Sequence, residues 1–152
     1  MMIPRLNNAD FIEAERELCS RDMIYYLRRA WGILDPGQPY QHGWHMDAMA
    51  EHLRAVADGE IKRLLINVPP GTSKSTMTGI IFPSWLWGPY GWPESRFIGA
   101  AYEAGLAGRD SRRTRLVVES EWFQTLWPTK LTGDANAKTY FENEKRGFRQ
   151  AA

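Results

Sequence analysis

The chain has 152 residues, 43% of them hydrophobic and 24% charged, a composition that fits one globular domain with a proper core and excludes a disordered or fibrous chain. The formal charge of +1 gives no global field that would draw nucleic acid, so any DNA contact has to come from a local patch. A lone Cys19 excludes an intrachain disulfide and a thiol zinc cluster, and with no signal core or run of membrane-spanning length the protein is expected inside a cell.

In chain order, Phe11, Ile12, Leu18, Met23, Ile24, Leu27 and Trp31 recur at helical spacing and predict one or two amphipathic helices between about Asn8 and Trp31. Gly32 to Gly43, with Pro36, Gly37 and Pro39, reads as a loop. Trp44, Met49, Leu53 and Val56 resume the helical period up to Asp58, before Gly59. The run Leu64 to Val68 has the length and branching of a buried strand. A helix is expected from Lys74 to Trp87, kinked or shortened by Pro83 and ended by the Gly88 to Pro93 segment. A second strand at Arg96 to Tyr102 leads into a helix from Glu103 to Glu119, and a short helical piece from Glu121 to Trp127 stops at Pro128. Lys138 to Glu142 and Gly147 to Ala151 read as the arms of a hairpin turning at Asn143 to Arg146. The strand–helix–strand–helix order predicts an α/β fold, a parallel sheet flanked by helices. With so few strands, and with the sequence stopping in extended chain at Ala152, the sheet is expected to be incomplete.

The stretch Val68-Pro69-Pro70-Gly71-Thr72-Ser73-Lys74-Ser75-Thr76 joins the first strand to a helix and reads as a phosphate-binding loop. Proline carries no N–H, so the backbone donors that could cradle a phosphate come from Gly71 to Thr76, toward the helix N-terminus. Lys74 would reach the outer phosphates of ATP and the Ser75 hydroxyl would hold Mg2+. Against the pattern G-x-x-x-x-G-K-S/T, Val68 and Ser73 stand where glycines are usual, so Ser73 has to accept backbone angles that glycine normally supplies. The acidic strand that completes such a site is missing: the nearest sequence, Leu116-Val117-Val118-Glu119, continues a helical pattern, and without the acid hydrolysis would be poor.

Gly43-Trp44-His45, the run Glu60 to Ser75, Pro83-Ser84-Trp85-Leu86-Trp87-Gly88-Pro89, Ala101-Tyr102 and Arg109-Asp110-Ser111-Arg112-Arg113 together resemble the N-terminal ATPase region of tailed-bacteriophage terminase large subunits across most of residues 40–127. In that family a Pro-Pro-Gly-Thr-x-Lys-Ser loop without the second glycine is an accepted variant. The resemblance implies residues 1–42 as an N-terminal helical segment and loop, and residues 43–152 as part of a P-loop ATPase domain. It implies the ATP-driven motor that packages duplex DNA into a procapsid, acting in the host cytoplasm as a homo-oligomeric ring with the portal protein and the terminase small subunit. The acidic strand and the nuclease domain of the parent protein would lie beyond Ala152, so no nuclease activity is expected of this chain. The alternatives are another P-loop ATPase, helicase-like, or a non-catalytic remnant acting through subunit contacts.

The remaining residues divide less sharply. On a helix from Glu103, Arg109, Arg112 and Arg113 fall within a sector of about 100°, either a solvated basic face or the source of an arginine finger, with Arg112 central. Tyr40, Trp44 and His45 stand where the family places contacts to adenine, and either Tyr40 or Trp44 stacks on the base or Trp44 has a plain core role at the start of its helix. His42, His45 and His52 lack the thiol or carboxylate that would complete a metal site. Trp85, Trp87 and Trp92 are expected in the core or a subunit contact. Lys130, Lys138, Lys145, Arg146 and Arg149 give the C-terminal part a basic tint, which would keep the hairpin soluble or touch the DNA backbone.

Overall fold

The structure is a computed structural model that describes residues 8–133 and 139–152; the expected Lys138 end of the hairpin lies outside the described residues. Helices α1 (Asn8–Arg21) and α2 (Met23–Leu34) meet at Asp22, whose carboxylate accepts the Ile24 N–H at 2.8 Å and caps α2. After the proline-rich loop comes α3 (Trp44–Ala57). The helix that follows the Gly71 to Ser73 turn is continuous but not uniform: α4 (Lys74–Thr76), a π turn (Met77–Ile81) and α5 (Phe82–Trp87). Then follow β1 (Phe97–Gly99), α6 (Ala104–Glu119), α7 (Glu121–Leu126), β2 (Leu131–Thr132), β3 (Tyr140–Asn143) and β4 (Phe148–Ala151).

The core is mainly helical. Tyr26, Leu27 and Ala30 of α2 are fully buried, together with Trp85, Val117, Val118 and Phe123. Two of its buried polar side chains are paired, as burial demands: Tyr26 Oη donates to Ser84 Oγ at 2.9 Å, and Trp85 Nε1 donates to the Cys19 carbonyl at 2.8 Å. Buried Glu15 accepts from Tyr25 Oη at 2.7 Å and pairs with Arg29, fastening α1 to α2. Arg113 pairs with Asp35 at the end of α2 and so ties α6 to the same core. Trp85 and Trp87 are core residues, whereas Trp92 is exposed.

Pro83 accounts for the irregular helix. It has no N–H to offer the Gly79 carbonyl four residues earlier, and Thr114 Oγ1 of α6 donates to that carbonyl at 3.1 Å instead. A Cβ at Gly79 would stand 3.3 Å from Asp110 Oδ2, so the missing side chain lets α6 approach this closely.

The sheet order is β1-β4-β3-β2. β1 runs parallel to β4, with Phe97 opposite Arg149 and Gly99 opposite Ala151, while β4-β3 and β3-β2 are antiparallel. The sheet is therefore mixed, not purely parallel. A hairpin turn as short as the one between β3 and β4 can only return the chain antiparallel. That turn is tightly seated: buried Asn143 accepts the N–H groups of Lys145 and Gly147 at its Oδ1 (2.9 and 3.0 Å) and donates Nδ2 to the Pro93 carbonyl at 2.8 Å.

Leu64 to Val68 is not a strand. Its burial alternates as a strand's would, with Leu64 and Ile66 packed on the core and Leu65 84% exposed, but it pairs with no described strand. Alternation is a local property of the sequence, whereas a ladder needs a neighbour, and among the described residues β1 pairs with β4 alone.

Candidate functional site

The loop before α4 has the backbone that the sequence demanded. Gly71 lies at φ +79° and Ser73 at φ 61°, ψ 17°, so a non-glycine residue holds a left-handed conformation immediately before the helix. The turn is braced from within by Thr72 Oγ1 donating to the Pro69 carbonyl at 2.7 Å, and from α3 by His45 Nε2 donating to the Thr72 carbonyl at 3.2 Å. Met77 N–H donates to the Ser73 carbonyl at 2.9 Å, and the N–H groups of Lys74, Ser75 and Thr76 open the helix without carbonyls four residues back inside it. Gly71, Lys74 and Ser75 are exposed, Thr72, Ser73 and Thr76 half-buried.

Two cavities flank this loop. The first, about 510 Å³, is lined on one side by Gly71, Thr72 and Ser73 and on the other by Gln38, Gln41, His42 and Met46. The second, about 560 Å³, is lined by Lys74, Ser75 and Gly79 of the helix, by β1 and the residues after it, and by Arg109, Asp110 and Arg149. The early loop residues thus face one cavity and Lys74 and Ser75 the other. In a chain of net charge +1, the second cavity gathers three cationic side chains against one carboxylate.

Tyr40 is engaged elsewhere. Its ring packs edge-on to Trp31 at 5.6 Å, the Arg28 guanidinium lies over it at 5.2 Å, and its hydroxyl meets His42 Nδ1 at 2.8 Å. Trp44 is neither in the core nor in either cavity; it is 80% exposed beside Leu64 to Val68. Of the three arginines expected on one face, Arg109 lines the second cavity and bonds Asp110 at 3.2 Å, Arg113 is spent on Asp35, and Arg112 is exposed outside both cavities. The histidines go to separate partners: His42 to Asp47 at 2.7 Å, His45 to the loop, His52 to the Ala48 carbonyl at 2.7 Å. Among the described residues no group of three or more His, Cys, Asp or Glu could hold a metal. Magnesium asks for less, one or two oxygen ligands beside phosphates and water, and the Ser75 hydroxyl and the Asp110 carboxylate line one cavity.

Sequence reasoning missed Gln38, Gln41 and Asp110, for which composition and spacing carry no signal. It also misread Arg149 as part of a surface tint. Arg149 is 3% exposed, and burial lowers its pKa. It sits in register between Phe97 and Phe141 on the sheet face that α6 covers. The predicted hairpin, turning at Asn143 to Arg146, would set Tyr140 opposite Arg149; the observed register is shifted by one residue and brings Phe141 there instead.

Comparison of the chain with protein-family models, with curated proteins and with solved structures finds no match.

Proposed function

We propose that this chain is a nucleotide-binding unit of the terminase large-subunit type, the ATPase portion of a motor that packages duplex DNA. The observation that carries the reading is the loop itself: left-handed Gly71 and Ser73 turn the backbone into a helix start whose open N–H groups, Lys74 and Ser75 adjoin a cation-rich cavity. Backbone donors from Gly71 to Thr76 orient the phosphates of ATP, Lys74 neutralises their charge, and Ser75 is the protein ligand for Mg2+. His45 holds the loop in place through the Thr72 carbonyl. Gln38 and Gln41 place amides at the opposite wall of the first cavity, where an amide can pair with both N6 and N7 of adenine. The chemistry the bound nucleotide supplies is phosphoryl transfer to water.

Contacts with duplex DNA, a portal protein, a small subunit and further copies in a ring belong to this proposal, as does the host cytoplasm. No helix among the described residues is long and apolar enough to cross a membrane. A second reading, a unit that binds without hydrolysing, is favoured by one observation: the acidic residues lining the two cavities, Asp35 and Asp110, come from a helix end and a helix, and neither comes from a strand beside the loop.

The test is calorimetric titration of magnesium-ATP into the chain and into Lys74→Ala, with circular dichroism to show both folded. Saturable binding by the chain, weakened tenfold or more in the variant, is expected from the loss of a charge-assisted contact to phosphate. A folded chain that takes up no nucleotide would refute the reading.

A further inference from the structure

The least expected side chain in the second cavity is Arg149. It is buried among aromatic neighbours, its Nε has no hydrogen-bond partner, and it forms no ion pair among the described residues. Asp110 is the carboxylate whose charge acts on it, but that carboxylate bonds Arg109. A buried guanidinium left in this state costs the fold free energy, and packing alone would be better served by an apolar residue of the same length. The surroundings are nevertheless shaped to it: a Cβ on Gly99 would come within 3.0 Å of an Arg149 terminal nitrogen.

The cavity arrangement says which ligand would pair it. Gly71, Thr72 and Ser73 line the first cavity, and Lys74, Ser75 and Arg149 the second. A phosphate chain laid along the loop from the first cavity therefore ends in the second. Resting on the nucleotide-binding reading above, we propose that Arg149 is the binding residue for the terminal phosphate of a nucleoside triphosphate and makes the site prefer triphosphate over diphosphate. The guanidinium fork matches phosphate oxygens two at a time, and the ligand's charge supplies the partner that the protein withholds.

The experiment measures Mg-ATP and Mg-ADP affinity by calorimetry, and thermal stability without nucleotide, for the wild-type chain, Arg149→Met and Arg149→Lys. Expected for Arg149→Met are a melting temperature at or above wild type, ATP affinity down about tenfold or more, and ADP affinity within about twofold. Arg149→Lys, which keeps a charge but loses the fork, should fold and lose most of the preference. Equal losses for both nucleotides, or an unchanged preference, would overturn the role of Arg149 and leave the nucleotide-binding reading standing. A wild-type chain that binds neither nucleotide would remove both. Unfolding of both variants would assign Arg149 to the fold and overturn the proposal.

Discussion

Ser73 is the residue at which the loop's chemistry and its backbone disagree. A serine at φ 61° bears the steric cost that L-residues meet in the left-handed region, about 1–2 kcal/mol, while glycine there would lose about 0.5–1 kcal/mol more conformational entropy on folding. The two effects nearly cancel, with glycine ahead. Ser73→Gly should therefore raise stability in urea unfolding by at most about 1.5 kcal/mol, and nucleotide affinity should hold because the backbone N–H is retained. Gly71→Ala tests the converse. At φ +79° with nothing within 4 Å of the added Cβ, its penalty is purely conformational, the left-handed cost of about 1–2 kcal/mol less about 0.5–1 kcal/mol of folding entropy that alanine saves. A Ser73→Gly chain that lost 1 kcal/mol or more would show that the hydroxyl supports the loop. This strain was legible in the sequence, because the loop pattern puts Ser73 at a position where glycine is usual. Arg149 was not, because its type argued for the surface, and only the register of β4 in a sheet with α6 laid across it puts the side chain inside.

Among the elements, the helices were read well because their signal is local: a 3.6-residue apolar period with punctuation by Gly and Pro specifies α1, α2, α3, α6 and α7 without reference to anything distant. The hairpin was legible for the same reason. Leu64 to Val68 fails on the other side of that distinction, since strand identity is a relation between segments. The π turn is intermediate. Pro83 announces an irregular helix, but its remedy lies 31 residues away in Thr114, whose hydroxyl serves both the Gly79 and the Asp110 carbonyls. Thr114→Val keeps the shape of a fully buried side chain and leaves the Gly79 carbonyl unpaired, so chemical denaturation should show a loss of about 1–3 kcal/mol. Thr114→Ser retains the hydroxyl and should lose clearly less. Equal losses in the two variants would mean that the methyl group's packing, not the hydrogen bond, fixes α6 on the irregular helix.

For the molecule as a whole, the same helical core that supports the loop also sets an alkaline limit on stability. Cys19 is 0% exposed, and burial, with Glu15 second, pushes its thiol from the ordinary value of 9.0 up to about 12. Tyr26, equally buried in the first turn of α2, is also raised by burial. For both groups the folded state holds its proton more tightly than the unfolded state does. Between pH 9 and 12 the unfolded chain therefore carries fewer protons at Cys19 than the folded chain, and stability falls as pH rises. Below pH 9 the thiol is protonated in both states and the contribution is fully present. The slope from one such group approaches about 1.4 kcal/mol per pH unit. Denaturation between pH 8 and 11 should accordingly show a flat region followed by a decline beginning near pH 9. Cys19→Ala removes the first titrating group, and Tyr26 begins to contribute only above its ordinary value of 10.0. The variant starts from a lower stability, because a buried sulfur is deleted, but its decline should begin about one pH unit later. A thiol-reactive probe at pH 8 offers an independent check: labelling of the native chain should proceed only through opening of the core, at a rate that rises with denaturant. If the thiol is modified at the rate of a free cysteine, or if Cys19→Ala leaves the onset of the alkaline decline where it was, the core does not enclose Cys19 in this way.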